Sequence, residues 1–209
     1  MTAILKVDTI QDTAGNNIIN ESSDTITIGA SGDTISIPSG ATIANSGTAT
    51  GFGIDGITQA DQWRMSANRG NGVNSDITAN LERVDDGSFG YIGNGMTESS
   101  GIFTFPATGI YQVSAVGMIY SISDSSTFLE MYVTTNNSSY DIVVNMNGGN
   151  NNSGATNLSI GGNTLVNVTN TSNVKVKFAT SSMGGSSSLS GDTSSNYTYF
   201  TFIRLGDST

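Results

Sequence analysis

The chain has 209 residues, enough for one main domain with an extension, and only 11% of them are charged, against roughly a quarter in an ordinary soluble domain. Its 17 acidic and 7 basic residues leave a formal charge of −10, and the basic ones are scattered, which weighs against the clustered Lys and Arg that nucleic acid or anionic lipid requires. Cysteine and histidine are both absent, which excludes disulfides, thiol nucleophiles, His-based triads and Cys/His metal sites. No run of 18 apolar residues occurs, and Met1–Asp8 lacks a basic segment leading into an apolar core, so neither a membrane-spanning helix nor a secretory signal is expected and the chain is expected to fold in a cytosol. Gly, Ser, Thr and Asn replace the missing charges; they favour turns and short strands over helices.

In chain order, Ile4, Leu5, Val7 and Ile10 lead into Asp12-Thr-Ala-Gly-Asn16, which reads as a strand and a turn with Gly15 at a position needing positive φ. The run Leu5–Asn16 resembles N-terminal segments of virion fibre and appendage proteins of marine tailed bacteriophages. That resemblance implies that residues 1–20 dock onto other virion proteins.

Residues 21–53 contain a repeat. Asp24-Thr-Ile-Thr-Ile28 returns nine residues later as Asp33-Thr-Ile-Ser-Ile37, and weakly as Ala41-Thr-Ile43, with Gly29, Gly32, Pro38 and Gly40 marking turns. Isoleucine alternates with Ser or Thr, the period of a half-buried strand. So short a strand cannot bury its apolar face alone. Three chains wound together would place Ile26, Ile28, Ile35, Ile37 and Ile43 around a common axis, as an intertwined β stalk; an extended, disordered linker is the alternative. Residues 45–53 read as a small-residue hinge.

Residues 54–209 alternate short apolar runs with Gly/Asn/Ser clusters, the pattern of an all-β jelly roll or sandwich. Strands are expected near 60–67, 76–83, 101–106, 109–121, 127–134, 139–146, 155–160, 163–169, 173–179 and 196–205. Val174, Val176 and Phe178 alternate with Lys175 and Lys177, and Tyr111, Val113 and Ala115 with Gln112 and Ser114, giving one buried and one wet face. The run Gly101-Ile-Phe-Thr-Phe-Pro-Ala-Thr-Gly-Ile-Tyr111 resembles the signature of complement subcomponent q heads and their tumour-necrosis-factor-like relatives. Phe103, Phe105, Pro106, Gly109 and Tyr111 carry it, and Tyr197–Leu205, with Phe200, looks like that family's closing strand. The resemblance spans roughly residues 57–207 and implies a trimeric jelly-roll head. Phe202 departs from the pattern, which has a small glycine there, and so does the turn Thr171-Ser-Asn173, where the family has Gly-Asp.

The chemical candidates are few. Asp85-Asp86, with Glu82 nearby, are the one grouping for glycosidase-like carboxylates, but adjacent Asp residues before Gly87 read more simply as a turn. No cofactor is expected; calcium is the metal that oxygen-rich loops with Asp124, or Asp192 and Asn196, would suit. Tyr140 and Asn196 are candidate ligand contacts at loop edges, and the tracts 145–154 and 181–196 read as long loops of the kind that carry recognition. The sequence therefore points to a non-enzymatic, homotrimeric virion fibre protein that meets a host-surface glycan through its head. A capsid decoration or tail joint without a receptor is the alternative, and a depolymerase spike is disfavoured.

Overall fold

Strands are the only regular elements in the computed structural model among the described residues, which are 9–11, 13, 17–22, 25–28, 31–38, 40–41 and 56–209. The chain divides into two compact units, Met1–Gly51 and Phe52–Thr209.

In the first unit, β1 (Thr9–Gln11), β2 (Asn17–Ser22) and β3 (Thr25–Ile28) form an antiparallel sheet in that order. β2 crosses the boundary expected at residue 20. β3 is the first copy of the repeat. The second copy is not a strand: residues 33–38 have no regular structure. Two features account for this. β3 has taken the open edge of β2, and Gly32, at φ +95°, turns the chain away after it. Ile26, Ile28, Ile35 and Ile37 are all exposed within the single chain. Ile43, Gly15, residues 1–8 and the whole of the expected hinge, residues 45–53, lie outside the described residues.

The second unit is a two-layer sandwich. One layer has the order β10 (Asp141–Asn150), β9 (Asp124–Thr134), β12 (Lys175–Ser181), β7 (Ile102–Thr104), β6 (Thr97–Ser99). The other has the order β11 (Thr156–Val168), β8 (Gly109–Ser121), β14 (Tyr199–Gly206), β4 (Ala60–Met65), β5 (Leu81–Arg83), with β13 (Ser188–Leu189) also paired to β8. The alternating positions behave as their periodicity requires: Tyr111, Val113, Ala115, Val174, Val176 and Phe178 are buried. The expected strands 155–160 and 163–169 are one strand. β11 runs unbroken through Gly161-Gly162 because it pairs with β8 along its whole length, and those partners supply the hydrogen bonds that fix the glycines. Likewise, residues 145–150 of the expected loop belong to β10, paired with β9. The tract 181–196 carries β13 and the buried Ser187, Ser188, Leu189 and Ser190.

Aromatic rings fill the space between the layers. Phe103 lies 5.1 Å from Phe202, 5.7 Å from Phe178 and 6.0 Å from Phe200, and Phe178 stacks on Phe200 at 3.9 Å. Phe105 packs on Tyr111 at 4.7 Å. Phe202, the departure from the sequence pattern, therefore has a place inside the chain's own core. The turn between β7 and β8 is pinned twice. The Tyr111 hydroxyl donates to the Ala107 carbonyl at 3.0 Å. Gly109, at φ +149°, sits where a Cβ would come within 2.6 Å of the Gly206 carbonyl oxygen. Phe103, Phe105, Tyr111 and Phe200 are thus core residues, and Pro106 and Gly109 shape the turn between them.

Candidate functional site

Strand alternation gives the β11-β8-β14-β4 layer an outer face whose composition is set by every second residue. Across it run the rows Gly161–Val116–Tyr199, Asn163–Ser114–Thr201 and Leu165–Gln112–Ile203. Ile110, Met118 and Tyr120 extend the face along β8. None of these side chains is charged, in a chain with 24 charged residues, 17 acidic and 7 basic; charge on this face begins at β4, where Arg64 stands opposite Tyr199. Gln62 joins the middle row as partner of Thr201; its side-chain amide donates to the Thr201 hydroxyl at 2.9 Å, and the Asn196 side-chain amide donates to the Gln62 Oε1 at 2.8 Å. The Asn196 Oδ1 is buried and meets no donor among the described residues. A cleft of 190 Å³ lies against this face, lined by Asp61, Gln62, Phe89, Gly90, Thr201 and Ile203 among others.

One edge of the sandwich complements that face in character. β10 and β11 are the outer strands of their layers, and Ile142, Val143 and Leu165 are exposed there, Leu165 by 64%. A second cleft of 190 Å³ opens beside them, lined mainly by Val133, Val143, Leu165, Val166 and Val174. Exposed edge strands with apolar side chains are surfaces that proteins ordinarily cover.

At the other end of the layer from that edge, on β4 and β5, sits an ionic cluster that sequence reading did not assemble. Arg64 is fully buried. It donates to Glu82 at 2.7 Å, Asp86 at 2.6 Å and Asp85 at 2.9 Å, and to the Thr193 carbonyl. Burial alone would lower the Arg64 pKa; the hydrogen bonds to Glu82 and Asp86 outweigh it and hold the pKa above its ordinary value. The three carboxylates considered for sugar chemistry are therefore counterions of one guanidinium. Nearby, Arg83 is fixed by Asp61 at 3.0 Å and lies over the rings of Trp63, at 5.0 Å, and Tyr91, at 4.7 Å. The place of Arg64 between Trp63, packed against the core, and Met65, within it, and the closeness of Glu82, Asp85 and Asp86, were the available signals.

The remaining candidates stand apart. Tyr140 places its ring 4.7 Å from the Lys177 ammonium, which also approaches Tyr132 and bonds Asp76 at 2.7 Å. The Tyr140 hydroxyl is buried, and burial raises its pKa. Asp124 accepts from the Gly184 amide at 2.9 Å and Asp192 from the Ser194 amide at 2.7 Å. Among the described residues no three Asp or Glu side chains are grouped to hold a metal.

No protein-family model matches the chain, and no curated protein matches it. Solved structures do match. Murine APRIL at pH 8.5 superposes with a TM-score of 0.52 at 9% identity, over 70% of this chain and 98% of that one. Eiger TNF from S. frugiperda gives 0.53 at 12% identity, over 72% and 94%. The head has a tumour-necrosis-factor-like jelly-roll fold. The expectation of a jelly-roll head from Gly101–Tyr111 and Tyr197–Leu205 is met. At these identities the likeness concerns the fold alone; what a tumour-necrosis-factor-like head does in this chain depends on its own surfaces.

Proposed function

We propose that the chain is a non-enzymatic homotrimeric fibre protein of a virion, folded in the host cytoplasm, whose head assembles through its uncharged sheet face and meets a host-surface glycan through its loops. The observation that carries the trimer is that one head presents an uncharged face on β11, β8 and β14 and an apolar edge that adjoins it at Leu165. A face that accepts an edge is a heterologous contact, and such contacts close into rings when the rotation permits. A three-membered ring is what the sequence resemblance of the head implies. The buried, unsatisfied Asn196 Oδ1 beside the face suits a surface whose hydrogen bonding is completed by a neighbour. The fibre role rests on the likeness of Leu5–Asn16 to virion appendage proteins.

The non-enzymatic reading is supported by Arg64, which engages Glu82, Asp85 and Asp86 together. For glycan contact, Tyr140 is occupied by Lys177 and Asn196 by Gln62. Tyr197, 43% exposed, presents its ring more openly.

The test is the solution mass by light scattering together with binding to a glycan panel. Wild-type protein should run as three chains, Leu165→Arg should run as one, and bound glycans should be recovered uncleaved. A monomeric wild type would refute the assembly, and released sugar products would refute the non-enzymatic role.

A further inference from the structure

The small sheet of the first unit has a face that its sequence pattern only half disclosed. Ile10 pairs directly with Ile19, and Ile19 with Ile28. Direct partners in an antiparallel sheet stand on the same face. Ile26, two residues before Ile28, shares that face with its direct partner Glu21, while Thr25 and Thr27 take the other. All four isoleucines are exposed within the chain. The sheet is thus an apolar row three strands wide, backed by threonine, with nothing among the described residues of its own chain laid over it.

We propose that this face packs against the same face of two further copies, closing a three-sided β prism whose core includes Ile10 and Ile19 as well as Ile26 and Ile28. Residues of the segment expected to serve only for attachment then belong to the stalk itself. The row Ile10–Ile19–Ile28 offers no charge or hydrogen-bonding group by which a foreign partner would be selected, and under rotation about an axis it is complementary to itself; Glu21, the partner of Ile26, stands at one end of the face. Three strands need a second apolar layer to hold together, and two more copies supply it. The inference rests on the trimeric reading of the head. Three heads held together tether three such sheets through residues 42–55, at an effective concentration on the order of millimolar, so that faces too small to associate when free do so when joined.

Because the chain has no cysteine, one introduced thiol is unique. Full-length Ile28→Cys and Thr27→Cys proteins, treated with a short bis-maleimide at equal thiol concentration, report which face lies inward, while light scattering reports the mass of the same samples. The expected result is efficient cross-linking of Ile28→Cys, little of Thr27→Cys, and a trimeric mass for both. A trimeric mass with equal cross-linking at both positions, or with none, overturns the prism and leaves the head assembly standing. A monomeric mass without cross-links overturns both. Since Ile28→Cys is a mild change, folding is not at issue. As a second readout, Ile19→Asp with Ile28→Asp should lower hydrogen-exchange protection of β2 at least tenfold without changing the mass, and unaltered protection would also overturn the prism.

Discussion

Arg64 shows how a chain with so few charges concentrates them. A buried guanidinium needs its charge matched and its donors engaged; here three carboxylates and a backbone carbonyl do both, tying residues 82–86 and Thr193 to β4. Arg64→Met would leave Glu82, Asp85 and Asp86 facing one another without their cation. Two of these acids are partly wetted and Asp85 is mostly so, which softens the repulsion. The expected loss is about 3 kcal/mol, read as a lower urea midpoint at fixed protein concentration. Lysine should restore little of it, because a point ammonium cannot engage three carboxylates at once. A midpoint unchanged in Arg64→Met would show that the cluster is ornamental. Tyr132 gives a second handle. Its hydrogen bond to Glu130, at 2.7 Å, and then burial push its pKa up to about 12 from 10.0. The folded state keeps this proton where the unfolded state has released it, so the stabilisation is complete below pH 10 and is lost as pH rises from 10 towards 12. Tyr132→Phe should flatten the fall of stability over that interval, and an identical slope in both proteins would show that other groups govern it.

At the scale of elements, the β7–β8 turn is where the backbone has least freedom. Gly109→Ala places a methyl group against the Gly206 carbonyl and the Arg204 side chain at a φ that L residues rarely adopt. A cost of about 2 kcal/mol or more is expected, measured as a lowered thermal midpoint. An unaltered midpoint would show that the turn relaxes freely. This turn was legible in advance because Pro106 and Gly109 announce it, as β8 was legible because Tyr111, Val113 and Ala115 alternate with Gln112 and Ser114. β10 and β11 were less so. Gly148, Gly149, Gly161 and Gly162 carry loop-like local signals, and only pairing with β9 and β8 makes strands of them. Gly149 even requires its lack of a side chain within the strand, since a Cβ there would meet the Ser125 carbonyl oxygen at 2.1 Å. The repeat failed in the opposite direction. Its copies at residues 24 and 33 look alike locally, yet one found a partner strand and the other did not. The Arg64 cluster was hidden for the same reason, because the contact from Arg64 to Asp85 and Asp86 is made by the fold rather than by spacing.

For the whole molecule, the decisive question is what kind of surface holds copies together. The outer face of the β11-β8-β14 layer and the Ile142–Leu165 edge carry no charge between them, apart from Asp141 at the margin. Burial of apolar area, rather than ion pairing, is then the driving term, and its signature is indifference to screening. The unit 52–209, produced alone, should remain trimeric and hold its mass between about 0.05 and 1 M salt, over which the Debye length shrinks severalfold. If assembly depended instead on the excess of acidic over basic residues being neutralised across the contact, mass would change steeply with salt, and divalent cations would restore it at low ionic strength. Salt-independent trimers of the head alone would also fix the order of causes. The head would assemble by itself, and the isoleucine faces of the first unit would follow because the head brings them together.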